Sequence, residues 1–263
     1  MLRDRVIASK VVNGNFRSLI AVAVWIGGAH AHAQHTPRDI IDRVDRVLRG
    51  ESSRGVATME VITEHWSRSV TMELWSLGTD YSLVRVTAPA KEAGTATLKA
   101  EQDIWNYLPK VDRTIKVPAS MMSGSWMGSH FTNDDLVKES RLIEDYEIET
   151  SFEGARDGVL VWEFKLTPKP EAAIVWGHIA YQIRKKDTMP IWARYYDEDG
   201  ELARTLEFSD FRNMGGRLVP AKMDMHPADK PGERTTMLYD NLEFDIDLEK
   251  SFFSLQTLKR RRR

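Results

Sequence analysis

The chain has 263 residues, with 37 lysines and arginines, 39 aspartates and glutamates and no cysteine, and this length is sufficient for one well-filled hydrophobic core. The absence of cysteine excludes disulfide bonds, thiol chemistry and a lipid-modified cysteine, so we expect a mature protein without a lipid anchor. Residues 34–258 hold 38 acidic and 28 basic residues. This acidic body argues against nucleic acid as a partner, because phosphates would be repelled.

Residues 1–33 predict a cleavable secretory signal peptide. Four basic residues precede an apolar run at 19–29, and the run ends at Ala31-His32-Ala33. A basic start, a short apolar middle and an Ala-x-Ala exit are typical of such peptides, and the run is too short to span a bilayer comfortably. A retained amphipathic anchor is the alternative. We therefore expect an exported protein.

A helix is predicted directly after the cleavage site. Thr36 is a suitable N-cap, Pro37 suits the first helical position, and Asp39 places an acid in the first turn. Gly50 ends the pattern. One apolar stripe at helical spacing is expected to pack over an opening of the sheet that follows: Ile40, Ile41, Val44, Val47 and Leu48.

From Gly55 onward the hydrophobic period changes to two, which indicates strands. We predict about eleven strands in a single domain over residues 34–258, with two or three short helices. The alternation of Leu160, Trp162, Phe164 and Leu166 with polar neighbours predicts a strand with one buried face. Residues 259–263 form a basic tail that we expect to be disordered.

A long antiparallel sheet must either close on itself or cover its apolar face. The predicted helix and a second helix start at residues 132–135 supply two apolar stripes for this purpose. A curved, open barrel with short helices across its mouth satisfies both needs. The predicted fold class is therefore mainly β (α+β).

Residues 103–136 contain an unusual loop. Two short strands at about 104–107 and 114–117 are followed by Met121, Met122, Trp126, Met127 and Phe131, which are separated by glycine and serine. Methionine fills irregular apolar gaps, and glycine makes a loop pliable. Two interpretations stay open: a loop folded onto its own core, or an adaptable lid over an apolar cavity.

The same stretch resembles the periplasmic lipoprotein-sorting-like family, relatives of the Lol-type lipoprotein carriers. The family pattern is an aromatic strand ending in Tyr-x-Pro, a basic returning strand and Gly-Ser-x-Phe-x-x-Asp-Leu, and the matching residues here are Gly128, Ser129, Phe131, Asp135 and Leu136. His130 departs, because the family usually has an acid there. The resemblance extends from about Gly55 to Leu258. It implies a half-barrel, a carrier role, and membrane transporters, including lipid export pumps, as partners.

Enzyme motifs are missing from the sequence. It contains no Gly-x-Ser-x-Gly elbow, phosphate-binding glycine loop or His-Glu-x-x-His pair. His65, His130, His178 and His226 are far apart along the chain. Asp134 and Asp135 are better read as a helix start than as a catalytic pair. We predict no catalytic residues, no metal site and no cofactor.

Large apolar side chains are abundant, with eight tryptophans and eleven methionines. Each tryptophan buries a large area, so together they favour a wide apolar cavity, although any single one is explained by the core. The predicted ligand-binding residues are Trp105, Tyr107, Met121, Met122, Trp126, Met127, Phe131, Trp162 and Phe164. The leading hypothesis is a non-catalytic periplasmic carrier of lipid or lipoprotein acyl chains that delivers them toward the outer membrane. The basic tail could touch anionic lipid headgroups.

Two alternatives remain. The protein could be a lipid-sensing accessory subunit of a membrane transporter or signalling protein. It could instead be a periplasmic hydrolase, which requires His130 or His178 to pair with a carboxylate or a serine within hydrogen-bond reach.

Overall fold

The computed structural model describes residues 36–138, 142–172 and 174–260, so the predicted signal peptide and residues 261–263 of the basic tail lie outside the described residues. Within those ranges thirteen strands are present, rather than about eleven. The strands are β1 (Ser52–Ile62), β2 (Ser67–Leu77), β3 (Tyr81–Ala88), β4 (Ala96–Ala100), β5 (Asp103–Leu108), β6 (Arg113–Lys116), β7 (Tyr146–Arg156), β8 (Val159–Pro168), β9 (His178–Arg184), β10 (Met189–Tyr196), β11 (Leu202–Met214), β12 (Arg217–Pro227) and β13 (Arg234–Phe244). The helices are α1 (Pro37–Arg49), α2 (Asp135–Lys138), α3 (Leu142–Asp145) and α4 (Leu255–Leu258).

The thirteen described strands form one antiparallel sheet in the order β6-β5-β4-β3-β2-β1-β13-β12-β11-β10-β9-β8-β7. The sheet is open, because β6 and β7 are its two edges and do not pair with each other. Strands that follow one another in the chain are neighbours except for β6 and β7, and the pairing of β1 with β13 joins the two halves. The predicted fold class, a mainly β, curved and open antiparallel sheet with short helices, is confirmed.

Helix α1 begins and ends where the sequence predicted. The Thr36 hydroxyl accepts a hydrogen bond from the Asp39 backbone N–H, and the Asp39 carboxylate accepts from the Thr36 N–H, which forms a capping box. Gly50 ends the helix with a positive φ and donates its N–H to the Arg46 carbonyl. The apolar stripe is buried at Ile40, Ile41 and Val44, so α1 covers one face of the sheet.

Two hydrophobic clusters lie on opposite faces of the sheet. Adjacent residues of β3 show the division, because successive strand side chains point to opposite faces: Val84 belongs to the cluster under α1, and Leu83 belongs to the other. We call the cluster under α1 the main core. The second cluster contains Leu98 and Tyr107, and it is covered by the chain after β13, including Phe253.

A long connection, residues 117–145, runs from edge strand β6 to edge strand β7, and we call it the crossing segment. It carries a 3₁₀ turn at Ala119–Met121 and helices α2 and α3. Its Trp126 and Phe131 are buried in the main core together with Ile41 of α1. The crossing segment and α1 therefore cover the same face of the sheet.

The prediction that one face of β8 is buried is only partly correct. Trp162, Phe164 and Leu166 of β8 do pack in or against the main core, but Leu160 is 61% exposed. Leu160 lies near the β7–β8 turn, at the end of the strand. The sheet extends there beyond the part that α1 and the crossing segment cover, so alternation continues without burial.

Candidate functional site

An apolar cavity of about 330 Å³ lies between α1 and the face of the sheet that carries the main core. α1 contributes Ile41, Val44 and Leu48 to the wall, which are residues of the stripe that the sequence predicted. From the main-core face the sheet contributes, among others, Tyr181, Tyr195, Leu206, Phe208, Met223 and Tyr239. A concave, mainly apolar wall with a few polar groups is the usual form of a small-molecule site.

Charged side chains are few in the cavity wall, and each has a defined partner. Asp45 accepts a hydrogen bond of 2.6 Å from the Arg49 guanidinium, one turn later in α1. Lys99 of β4 is 3% exposed and donates to the Thr79 carbonyl. These groups lie at the end of the cavity near the C-terminus of α1 and the β2–β3 turn.

A buried ion pair stands at the other side of the cavity. Asp135, at the start of α2, accepts two hydrogen bonds of 2.7 and 2.5 Å from the Arg204 guanidinium of β11. The guanidinium lies over the rings of Trp176 and Tyr195, with 4.5 and 4.3 Å from its carbon to the ring centroids. The Asp135 and Arg204 side chains are 7% and 6% exposed. The pair therefore joins the crossing segment to the sheet away from solvent. Two well-formed hydrogen bonds are needed there, because removing both charges from water costs free energy.

The charges around this pair also act on Tyr146, the first residue of β7. Burial raises the pKa of the Tyr146 phenol, and the carboxylates of Asp145, Asp134 and Asp135 raise it further, while the Arg204 guanidinium opposes them. The phenol is therefore neutral at any physiological pH.

Hydrogen bonds hold residues 121–131, the methionine-rich loop, against the sheet. The Trp126 indole N–H donates to the Thr97 hydroxyl of β4 at 3.1 Å. The Arg68 guanidinium of β2 donates to the Met127 carbonyl and also to the Glu92 carboxylate. The sequence left two interpretations of this loop open, a loop folded onto its own core and a lid over a cavity. In this conformation the loop packs over the main core as part of its cover.

His130 adds a third attachment. Its backbone N–H donates to the Thr235 hydroxyl at 2.9 Å, and its ring nitrogens lie 2.8 Å from that hydroxyl and 3.0 Å from the Glu233 carboxylate. The hydrogen bond from His130 lowers the pKa of Glu233, and a backbone N–H from Glu64 adds to the effect. These contacts join the crossing segment to the start of β13.

The nine predicted ligand-binding residues do not form one wall. Trp126, Phe131 and Phe164 are buried in the main core, with Met127 and Trp162 packed against it. Tyr107 and Trp105 belong to the second cluster on the opposite face, Met121 is 58% exposed and Met122 is half-buried. None of the nine lines the cavity between α1 and the sheet. As a set of ligand contacts they stay a prediction.

Sequence reasoning missed most of the residues that do line the cavity. Tyr181 lies with Ile179 and Ile183 on one face of β9, and all three are buried in the main core. Tyr195 and Phe208 lie on the neighbouring strands. Alternation marks such residues as buried, but it carries no signal for which buried face leaves a space open.

The geometry at His130 bears on the hydrolase alternative. The histidine has both a carboxylate and a hydroxyl within hydrogen-bond reach, as that alternative requires. The hydroxyl, however, is that of Thr235, which is 0% exposed and already accepts the His130 N–H. A nucleophile must reach its substrate, so this arrangement serves to attach the loop. His178 stacks on the Tyr196 ring at 4.3 Å, and burial lowers its pKa.

Within the part of the chain that the structure describes, no three histidine, aspartate or glutamate side chains are grouped so that they could hold a metal ion. No helix in the same part is long and apolar enough to span a bilayer.

Comparisons with known proteins agree on the architecture. A family model described as "Uncharacterized protein" matches residues 78–260, and no curated protein matches significantly. A DUF1329 family protein from Desulfovibrio piger superposes with a TM-score of 0.76 at 24% identity, over 84% of this chain and 97% of that one. A domain from Vibrio parahaemolyticus, assigned to outer membrane lipoprotein sorting, gives 0.74 at 24% identity, over 85% and 98%. A LolA superfamily protein from Nitrosomonas europaea gives 0.72 at 21% identity, over 84% and 99%.

Proposed function

The chain belongs to the family whose model matches residues 78–260 and has the fold of the Lol-type lipoprotein carriers, and on this premise we propose that it is a periplasmic carrier of acyl chains. The resemblance seen in the motif at residues 128–136 is thereby confirmed. The proposed carrier takes up a lipid or lipoprotein acyl chain and delivers it toward the outer membrane without chemical conversion.

The apolar cavity between α1 and the sheet is the observation that supports this proposal. Its wall combines aliphatic side chains such as Leu206 and Met223 with the rings of Tyr181 and Phe208. An acyl chain gains about 0.8 kcal/mol for each methylene removed from water. A lipid tail in this cavity would therefore be held without any directional contact.

Release requires that part of the cover moves, and we propose the crossing segment for this role. Its Trp126 and Phe131 pack in the main core, and its Asp135 both lines the cavity and binds Arg204. In this proposal these aromatic residues act as the movable cover of a bound chain. Breaking the desolvated ion pair would be the main cost of opening.

The test is native mass spectrometry of the protein recovered from periplasm, with organic extraction of bound material. We expect a co-purifying lipid or acylated peptide in the wild-type protein and its loss in Ala193→Phe, because Ala193 is a small residue of the cavity wall. Leu160→Phe, at a 61% exposed position, is the matched control and should retain the lipid. A wild-type protein that is empty and also fails to bind added lipid would disprove the carrier proposal.

Transfer of a labelled lipid between two vesicle populations separates the carrier from the lipid-sensing alternative. A carrier accelerates the transfer, whereas a sensor retains its lipid. The inner-membrane transporter as partner and the contact of the basic tail with lipid headgroups stay predictions.

A further inference from the structure

Successive turns of an antiparallel sheet alternate between its two rims, because each strand runs opposite to the one before it. Three turns in the half of the sheet that contains β1–β6 therefore lie on the same rim: residues 63–66 after β1, 89–95 after β3 and 109–112 after β5. The β7–β8 turn, residues 157–158, lies on the opposite rim. We call the first three turns the three-turn rim.

Side-chain contacts join the three turns into one surface. The Arg68 guanidinium, on β2 beside the first turn, donates to the Glu92 carboxylate of the second turn. A Cβ atom on Gly94 of the second turn would lie 3.4 Å from the Pro109 ring of the third turn. Each turn is therefore linked to the next, and the rim is continuous.

Large apolar side chains are exposed in two of these turns. Trp66 in the first turn is 45% exposed, and Val111 in the third turn is 61% exposed. Leu108, the residue before the third turn, is 38% exposed. Several exposed apolar side chains on one surface, with a tryptophan among them, are typical of a contact with a partner or a membrane.

Hydrogen bonds that do not involve these apolar side chains hold the turns in shape. In the first turn the Thr63 hydroxyl accepts from the Trp66 N–H at 3.2 Å and donates to the Trp66 carbonyl at 3.0 Å. In the third turn the buried Tyr107 phenol donates to the Asp112 carboxylate at 2.8 Å. The side chains of Trp66 and Val111 can therefore be replaced while the turns keep their conformation.

Exposed basic side chains accompany the apolar ones. Lys91 lies in the second turn, Lys110 lies in the third turn, and Arg113 follows directly after it. Two nearby carboxylates, those of Glu92 and Asp112, already accept hydrogen bonds from the protein. The exposed charges of these turns are therefore mainly basic.

The net charge of the rim differs from that of the whole body. With the flanking Arg68 and Arg113, the three turns contain four basic and three acidic residues, whereas residues 34–258 contain 28 and 38. In the other half of the sheet, the β10–β11 turn on the same rim carries four carboxylates: Asp197, Glu198, Asp199 and Glu201. An anionic surface is therefore expected to approach the half that carries the three-turn rim.

We propose that the three-turn rim docks the protein on a bilayer that contains anionic phospholipids. Trp66 and Val111 enter the headgroup layer, where tryptophan is favoured, and Lys91, Lys110 and Arg113 contact the phosphates. A soft lipid surface suits apolar side chains that stand on separate turns with charged side chains between them. Docking at this surface goes beyond the proposed carrier function and does not require a lipid in the cavity.

Docking would also bring the methionine-rich loop to the membrane. A Cβ atom on Gly128 would lie 3.9 Å from the Trp66 ring and 3.8 Å from the Arg68 guanidinium. The same guanidinium donates to the Met127 carbonyl. This part of the crossing segment, which we propose as a movable cover, therefore lies beside the docking surface.

The experiment measures how the protein recovered from periplasm partitions onto sedimenting vesicles of equal parts phosphatidylcholine and phosphatidylglycerol. Val111→Asp places a charge in the third turn, and we expect a partition coefficient about tenfold lower, because the valine no longer leaves water. Leu160→Asp is the matched control, since Leu160 is also 61% exposed but lies beside the turn on the opposite rim. The control should bind like the wild type.

Trp66→Ala should reduce the partition by a similar factor. Replacing both Lys110 and Arg113 by glutamine should reduce it about tenfold or more, because each basic residue near an anionic surface contributes about fivefold. Replacing Lys165 and Lys186, two exposed lysines elsewhere, by glutamine controls for the change in net charge. Raised salt, or vesicles of phosphatidylcholine alone, should weaken binding of the wild type.

Two outcomes overturn the inference: a wild-type protein that binds none of the vesicles, or rim variants that are folded by circular dichroism and bind as strongly as the wild type. The second result would place membrane binding on another surface, such as the basic tail. A protein that docks through the rim but carries no lipid upholds this inference and contradicts the carrier proposal. The failures of the two proposals are therefore distinguishable.

Discussion

The main core and the second cluster are built from similar side chains, yet only the main core encloses the cavity described above. The second cluster is covered by the chain after β13, whose Phe252 and Phe253 rings meet edge to face at 5.2 Å, with Leu258 fully buried beside them. The main core is covered by one helix stripe and the crossing segment. A single helix fills less of a wide, curved face than a segment that follows the sheet closely, so space remains beneath α1. The difference lies in the cover and not in the composition.

The largest expected effect comes from removing the buried ion pair of the main core. Arg204→Met leaves Asp135 as a buried carboxylate without its bidentate partner, which should lower the free energy of unfolding by about 3–5 kcal/mol. Urea unfolding followed by fluorescence measures this loss. Arg194→Met is the matched control, because Arg194 also lies over an aromatic ring but is exposed. A loss for Arg204→Met as small as that of the control would show that the pair does not hold the crossing segment.

Phe253→Ala should show that the second cluster contributes to stability and not to lipid binding. Phe253 is 5% exposed in the second cluster, and truncation of a buried phenylalanine costs about 3–5 kcal/mol. We expect this loss in urea unfolding together with unchanged lipid binding at a temperature where the variant is folded. Leu255→Ala, at a 40% exposed position on α4, should change neither quantity. Lost lipid binding in folded Phe253→Ala would mean that the second cluster also contributes to the site.

The two helix caps allow a comparison with smaller effects. Thr36→Ala removes the cap of α1 and Ser254→Ala the cap of α4, and each should cost about 0.5–2 kcal/mol in the free energy of unfolding. Only Thr36→Ala should also weaken lipid binding, because α1 covers the cavity. Equal effects of both variants on lipid affinity would contradict the assignment of the cavity to the α1 side.

The smallest expected effect concerns pH. Because the pKa of Glu233 is lowered in the folded protein by its hydrogen bond from His130, the unfolded chain takes up this proton first as the pH falls below about 4.5. The stability that Glu233 contributes is therefore present above this pH and is lost as the pH decreases through the lower, folded value. Glu233→Gln should make the melting temperature less sensitive to acid below pH 4.5, and His130→Gln should do the same. Melting curves identical to the wild type at every pH would remove this contact as an attachment of the crossing segment.

Several features were predictable because they depend on neighbours in the chain. The capping box at Thr36, the stop at Gly50 and the turn at Gly215–Gly216, where both glycines have positive φ, follow from local backbone chemistry. The helix start at residues 132–135 was also correct: the Thr132 hydroxyl accepts from the Asp135 N–H at 3.2 Å. The prediction that Leu160 is buried was wrong, because alternation indicates which face of the sheet a residue lies on and does not indicate where the cover of that face ends.

The candidate site was much less predictable. The surplus of tryptophan and methionine pointed to Trp105, Tyr107 and the methionine-rich loop, but the first two lie on the face opposite the cavity. Large aromatic residues fill a core as readily as they line a cavity, so their number does not locate empty space. The cavity wall was equally invisible, because its residues lie as far apart in the chain as Ile41 and Leu242.

The sequence by itself determined the mainly β class, most of the strands, the first helix and its limits, and the family, since each follows from local periodicity, capping or a short motif. Only the tertiary structure decided which face α1 and the crossing segment cover, which carboxylate meets Arg204, and where the cavity lies. The physical reason is that strand register and helix packing bring together residues from nine strands and three helices around the cavity. Local sequence patterns specify the parts, and the space that the parts leave between them arises only when they pack.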